Sequence, residues 1–304
     1  MDNIIKHIEV IPEGTKLIQA ESFWEKGYTG KGVTVAIIDT GCDINHFDLK
    51  DNIIGYKNFT KEGDEDDVTD FCEHGTHVAG IIGASKNDDG IIGVAYDCKL
   101  LILKALTQRG GDTEWITNAI RYAIEQKVDI INMSLGSTVR DEKMHQAIKD
   151  AYNAGILVVA ASGNEGDGNP LTSEINFPAT FAETISVGCI DYKLEPSKFT
   201  CSNVRVDVVA PGEAVYSTLP RQNFGKKTGT SMSTAFVSGA LALIIQMCRE
   251  KYRRKMSSNE LYTQLIKRTI PLGESAKIEG HGLLYLTAED VLIEHLKSQF
   301  NYAW

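Results

Sequence analysis

Val33-Thr34-Val35-Ala36-Ile37-Ile38-Asp39-Thr40-Gly41 decides the architecture. Its first six residues are largely β-branched and apolar, which reads as a strand buried on both faces. The Asp at its carboxyl end lies at the edge where open α/β sheets gather functional groups. Similar runs recur at 100–103, 128–133, 156–161 and 185–189. Helical patterns lie between them. Asp112 can N-cap a helix whose stripe of Trp115, Ile116, Ala119, Ile120 and Ala123 lies on one face. A second helix is read at 142–154, closed by Gly155. Strand–helix alternation from 33 to 190 predicts an α/β fold with a mostly parallel central sheet and helices on both faces.

Past residue 230 the pattern changes. The stretch 232–247 is small and apolar nearly all round, as a helix through the centre of the molecule would be. Two further helices are read at 259–268 and 287–298, the latter with Thr287 and Asp290 in a capping arrangement. The 304 residues allow one or two domains. No linker or repeat divides them, so the expected organisation is a short extension over 1–10 and one domain over 11–304.

Composition narrows the class. With 42% hydrophobic and 24% charged residues, the chain can build a core and is not disordered. A net charge of −10 argues against nucleic acid as a partner, because phosphate binding needs clustered Lys and Arg. No apolar run is read as approaching the ~18 residues of a membrane span. Met1-Asp2-Asn3-Ile4-Ile5-Lys6-His7 has neither the basic nor the apolar region of an export signal. The six cysteines are scattered, which fits reduced thiols and a cytoplasmic protein. The acidic stretch at 61–67 reads as an exposed loop.

Three local sequences carry chemistry: Ile38-Asp39-Thr40-Gly41, His74-Gly75-Thr76-His77-Val78-Ala79-Gly80 and Gly229-Thr230-Ser231-Met232-Ser233. A Ser hydroxyl is a weak nucleophile that needs a base, and the base needs an orienting carboxylate. Ser231, His74 and Asp39 supply those types. Each alone has an ordinary explanation as a cap or a structural histidine. Together they stand in the order Asp, His, Ser, which is the order found in subtilisin.

On these residues the chain resembles the subtilisin-like serine proteases over nearly its whole length. Further matches fall in sequence between the three motifs. Ser134-Leu135-Gly136 resembles the substrate-lining strand that also forms one wall of the S1 pocket. Ala161-Ser162-Gly163-Asn164-Glu165-Gly166 resembles the segment whose Asn, here Asn164, completes the oxyanion hole, and Ala210-Pro211-Gly212 matches another signature. Segments 264–273 and 282–286 resemble the intracellular subtilisins in particular. The resemblance implies a calcium-dependent serine endopeptidase acting on peptides or proteins, with a subtilisin-like fold. It places Glu165 at the S1 rim and Asn176 near its base, with some tolerance for basic residues against a background of broad specificity. It implies a calcium loop at Ser85-Lys86-Asn87-Asp88-Asp89-Gly90-Ile91, with Asp48, Asn87 and Glu9 as side-chain ligands and carbonyls from Ser85, Asp89 and Ile91. It also suggests a homodimer.

Departures are few. Ala235 and Phe236 stand where a Pro-His pair usually follows the nucleophile, and are read as a packing variation. Glu73, just before His74, would raise the imidazole pKa by charge proximity if its side chain faces the ring, and would leave it alone if it turns away. Cys72 is a thiol near the cleft, reactive or inert. The intracellular relatives' Leu-Ile-Pro-Tyr inhibitory element is absent, which keeps open a narrow processing protease such as a bacteriocin leader peptidase. A non-catalytic binding module is the third reading. An esterase of the GxSxG type is excluded, since Ser231 lacks that frame.

Overall fold

A computed structural model describes residues 9–300, without the side chains of 296–300. Most of the 1–10 extension and residues 301–304 of the predicted domain lie outside the described residues.

Two short helices, α1 (Glu13–Leu17) and α2 (Glu21–Trp24), lead into β1 (Thr34–Asp39) and β2 (Ile53–Asn58). Then come α3 (Gly75–Gly83), β3 (Lys99–Lys104), and a small ribbon of β4 (Leu106–Thr107) with β5 (Gly110–Gly111). Next are α4 (Thr113–Glu125), β6 (Ile130–Met133), α5 (Glu142–Asn153), β7 (Leu157–Ala161), β8 (Thr184–Ile190) and β9 (Val208–Pro211). A hairpin of β10 (Val215–Leu219) and β11 (Asn223–Lys227) precedes α6 (Thr230–Tyr252), α7 (Ser258–Ile266), β12 (Thr269–Ile270), α8 (Ala276–Glu279), β13 (Leu283–Leu284) and α9 (Ala288–Phe300).

Nine strands form one sheet in the order β12-β13-β9-β8-β7-β6-β1-β3-β2, parallel throughout except for the β12–β13 pair. The alternation of side chains along β1 explains the two-sided core. Val35 and Ile37 join α3 and α6 on one face, while Ala36 and Ile38 join α4 and α5 on the other. Asp112 and Asp141 cap α4 and α5 by accepting the Glu114 and Met144 N–H groups at 2.8 and 2.7 Å. Among the described residues Asp290 shows no hydrogen bond to Thr287 at the start of α9; its carboxylate pairs with Lys26 at 2.9 Å.

Helix α6 outruns the expected 232–247. It is long and apolar enough to cross a membrane, which the sequence reading did not credit to any segment, yet that apolar stretch is entirely buried within the domain. A soluble core helix passes the same length test. Ala235 and Phe236 are both fully buried, and the Phe236 ring occupies space opened by Gly14, where an added Cβ would lie 2.3 Å from Cζ. Phe236 thus packs α6 against α1.

The order in which strands are added reverses around β1, although all of them there run parallel. β2 and β3 extend from one side and β6 from the other, so the carboxyl ends of β1 and β6 flank a topological switch point.

Candidate active site

Asp39 ends β1 with only 1% of its surface exposed. His74 stands at the N-cap position of α3 without capping it through its side chain, and its Nδ1 lies 2.7 Å from Asp39 Oδ1. That oxygen also accepts the Thr40 N–H at 2.7 Å. The contact needs Gly75: a Cβ there would fall 2.1 Å from the Gly41 carbonyl oxygen and 3.2 Å from Asp39. Burial by itself depresses the His74 pKa. The charge and hydrogen bond of Asp39, then the charge of Asp70, overcome it, while Lys227 opposes them, and the net shift is upward.

Of the two directions open to it, Glu73 takes the one away from the imidazole. It holds a left-handed φ of 59° and turns toward Lys227 at 3.9 Å. Asp70, which the sequence reading passed over, acts instead. Its only sequence signal is an acidic residue four positions before the histidine. His77, one turn into α3, is structural: its Nε2 meets the Val215 and Gly225 carbonyls at 2.9 and 3.2 Å, and burial lowers its pKa to about 4.

Ser231 is the second residue of α6, and its backbone N–H belongs to the first helical turn, whose donors have no intrahelical acceptor. Ser231 and Ser134 are tied reciprocally. Ser231 Oγ donates to the Ser134 carbonyl at 3.3 Å, and Ser134 Oγ donates to the Ser231 carbonyl at 2.9 Å. Among the described residues there is no Ser231–His74 hydrogen bond, so the hydroxyl must leave Ser134 to engage the imidazole. Asn164 follows β7. Its Oδ1 accepts from Thr230 N–H at 2.9 Å and Thr230 Oγ at 3.0 Å, which fixes the amide and leaves its NH₂ as the donor.

The residues expected to line the substrate cleft lie beside these groups, Ser134 through its contacts with Ser231. Leu135 is half-buried and Gly136 exposed, and a Cβ at Gly136 would stand 3.5 Å from Asn176 Oδ1. Ser137 and Phe177 close that side through a two-bond bridge at 2.9 and 2.8 Å. Glu165 Oε2 accepts Asn164 N–H and Asn176 Nδ2, each at 2.9 Å, and the Cys201 thiol at 3.5 Å. Burial pushes the Cys201 pKa up to about 11, so it remains a donor. Cys72 is partly exposed; burial and then the charges of Asp70 and Asp39 raise its pKa, which keeps the thiol protonated and slow to react.

The residues expected around calcium lie together: Asp48 soon after the Asp39 motif, the loop 85–91 directly after α3, and Glu9 from the N-terminal segment. Asp48 is fully buried; its Oδ2 accepts Ile91 N–H at 2.9 Å and its Oδ1 faces Asn87 Nδ2 at 3.0 Å. Burial raises its pKa to about 6. Glu9 Oε1 accepts the Asn87 and Asp88 N–H groups at 2.7 and 2.9 Å. Asn87 turns its amide nitrogen toward Asp48 and gives its oxygen to Asp89 N–H at 3.0 Å. The carbonyls of Ser85, Asp89 and Ile91 receive no hydrogen bond among the described residues. Lys86 points its ammonium toward the Tyr96 ring, 6.0 Å from the centroid. An all-oxygen set of this kind suits a hard cation. Among the described residues no three His, Cys, Asp or Glu side chains cluster as a metal site, so backbone carbonyls would have to complete it.

Comparison with known proteins agrees with the geometry. The profile of the subtilase family matches residues 30–285. The major intracellular serine protease of Bacillus subtilis (strain 168) is 49% identical over 95% of this chain and 92% of its own length. An intracellular serine protease of Paenibacillus polymyxa is 50% identical over 94% of this chain and 89% of its own. Subtilisin DY of Bacillus licheniformis is 37% identical over 92% of this chain and 98% of its own. By the family match, the α/β sheet and the residues gathered at its switch point, the chain belongs to the subtilase family and is a serine endopeptidase.

Proposed function

We propose that the chain is a calcium-dependent endopeptidase of the cytoplasm that cleaves peptide bonds through an acyl-enzyme on Ser231. One observation carries the reading. The Asn164 amide is anchored by Thr230 with its NH₂ free, beside the helix N-terminus that bears Ser231, while Asp39 holds His74 at 2.7 Å.

Ser231 Oγ attacks the scissile carbonyl carbon as its proton passes to His74 Nε2. Asp39 keeps the other ring nitrogen protonated and stabilises the imidazolium. The oxyanion is held by Asn164 Nδ2 and the Ser231 N–H. As the tetrahedral intermediate collapses, the C–N bond breaks and His74 protonates the leaving amine. Water then repeats the sequence and releases Ser231. His74 serves as base only when neutral, so activity falls as pH drops through its raised pKa.

Residues 134–136 offer the backbone edge for an extended peptide. Glu165, with Oε2 committed to three donors, has Oε1 left to meet a basic P1 side chain, which supports tolerance of Lys and Arg within broad specificity. Asp48 and Glu9, with the carbonyls of Ser85, Asp89 and Ile91, would hold calcium; Asn87 joins them if its amide turns. The ion would cross-link the loop to the N-terminal segment, where Val10 already bonds Gly90 and Ile92 at 2.8 and 3.0 Å. The names of the two most similar relatives above support a cytoplasmic setting. Homodimerisation belongs to the same proposal, and the exposed Val291, Leu292 and Ile293 of α9 offer an apolar surface for it.

Casein digestion by wild type and by Ser231→Ala tests the proposal. Cleavage by wild type alone is expected. Equal cleavage by both, or none by wild type, overturns it.

A further inference from the structure

We propose that Asp70 is a positioning residue of the triad: its buried carboxylate takes the Thr40 hydroxyl proton, leaving Asp39 Oδ1 to His74, and stands as a second negative charge behind the imidazole.

Asp70 lies in the loop before α3 with 5% of its surface exposed. Its Oδ1 accepts Thr40 Oγ1 at 2.8 Å and Cys72 N–H at 3.1 Å. Its Oδ2 accepts Thr76 N–H at 2.9 Å and Thr76 Oγ1 at 2.7 Å. These donors come from the turn after β1, from the loop itself and from the first turn of α3. Thr40 Oγ1 in turn accepts Gly75 N–H at 3.0 Å, so the two segments that carry Asp39 and His74 are joined through Asp70.

Thr40 has one hydroxyl proton and two carboxylates in reach, Asp70 Oδ1 at 2.8 Å and Asp39 Oδ1 at 3.2 Å. The shorter contact takes it. Were the proton given to Asp39, a third donor would compete with His74 for the same oxygen. That competition matters because Asp39 Oδ2 is buried without a partner among the described residues, so all of the carboxylate's hydrogen bonding runs through Oδ1.

The other charges around His74 do not substitute for Asp70. Lys227 from β11 acts in the opposite sense and is engaged with Glu73, and His77 on α3 is held neutral. Lys104, beside Asp39 in register at the end of β3, is buried and donates to the Thr69 carbonyl. Asp70 follows Asp39 among the groups that make the imidazole more basic.

The proposal rests on His74 as general base, and its test includes an arm that needs no activity. Asp70→Asn should move the acid limb of kcat/KM down by about half a unit to one unit, because one neighbouring negative charge is gone. In a Ser231→Ala background the His74 imidazole, followed by ¹⁵N NMR, should shift its titration midpoint by the same amount. Asp70→Glu, which keeps the charge, should restore most of it. Thr40→Val should leave the midpoint in place, since Asp39 Oδ1 already lacks the hydroxyl proton. A lower plateau with an unmoved limb and midpoint in Asp70→Asn would reduce Asp70 to a structural role. A midpoint that rises in Thr40→Val would show the proton on Asp39 and overturn the assignment.

Discussion

Thr230→Val isolates the part of the machinery that aims the oxyanion donor. Asn164 is exposed, and among the described residues its side chain is held only by Thr230, through N–H at 2.9 Å and Oγ1 at 3.0 Å. Valine keeps the shape and the N–H but deletes the hydroxyl. One such hydrogen bond contributes about 1 kcal/mol net, which converts to about a fivefold loss in rate. The loss should appear in kcat with KM little changed, because the donor acts on charge that develops in the transition state. Asn164→Ala removes the donor itself. That costs ~10²–10³ in kcat, a range for which subtilisin's own asparagine is the reference case and which enters here by analogy. In the double variant the anchor has nothing left to hold, so Thr230→Val should add no further loss. Steady-state kinetics on a chromogenic peptide reads all four corners of the cycle. Multiplicative losses in the double variant, or an unchanged kcat in Thr230→Val, would refute the anchoring argument.

Two more outcomes follow from the cleft and the loop. Glu165→Gln should lower kcat/KM for P1 Lys relative to P1 Leu by ~3-fold, the scale of an exposed charge pair; an unchanged ratio across a peptide library removes Glu165 from specificity. Calcium at one hundred times its Kd should stabilise the fold by about 2.7 kcal/mol. Chelation should therefore lower Tm by about 4 °C in the Ser231→Ala protein, and Asp48→Asn should abolish that difference. Identical melting with and without chelator in the parent would remove the site.

Legibility tracked the physical origin of each feature. Strands buried on both faces announced themselves, as in β1, whose core residues serve two different helix layers. Asp39, His74, Ser231 and Asn164 stood in motifs at strand and helix ends, where the chain itself sets their place. The β10–β11 hairpin went unread: β11 offers one apolar side chain, the partly buried Phe224, and no fully buried residue, and the pair is fixed by contacts such as His77 to Val215 and Gly225. Asp70 and Glu73 could not be ranked from sequence. Both are acidic and close to His74, and only the left-handed turn at Glu73 sends one away while Thr40 and Thr76 draw the other in. Thr230 was hidden for the same reason, since its value lies in a contact with a loop 66 residues earlier.

The central claim is that Ser231 is the nucleophile and His74 its base. A fluorophosphonate probe tests it directly, because attack by the serine Oγ on phosphorus expels fluoride and leaves a stable adduct that mass spectrometry can place. One adduct is expected, on Ser231, formed at a rate that collapses in His74→Ala. An adduct on Ser134 or Ser233 instead, or labelling of Ser231 that is equally fast without His74, would contradict it.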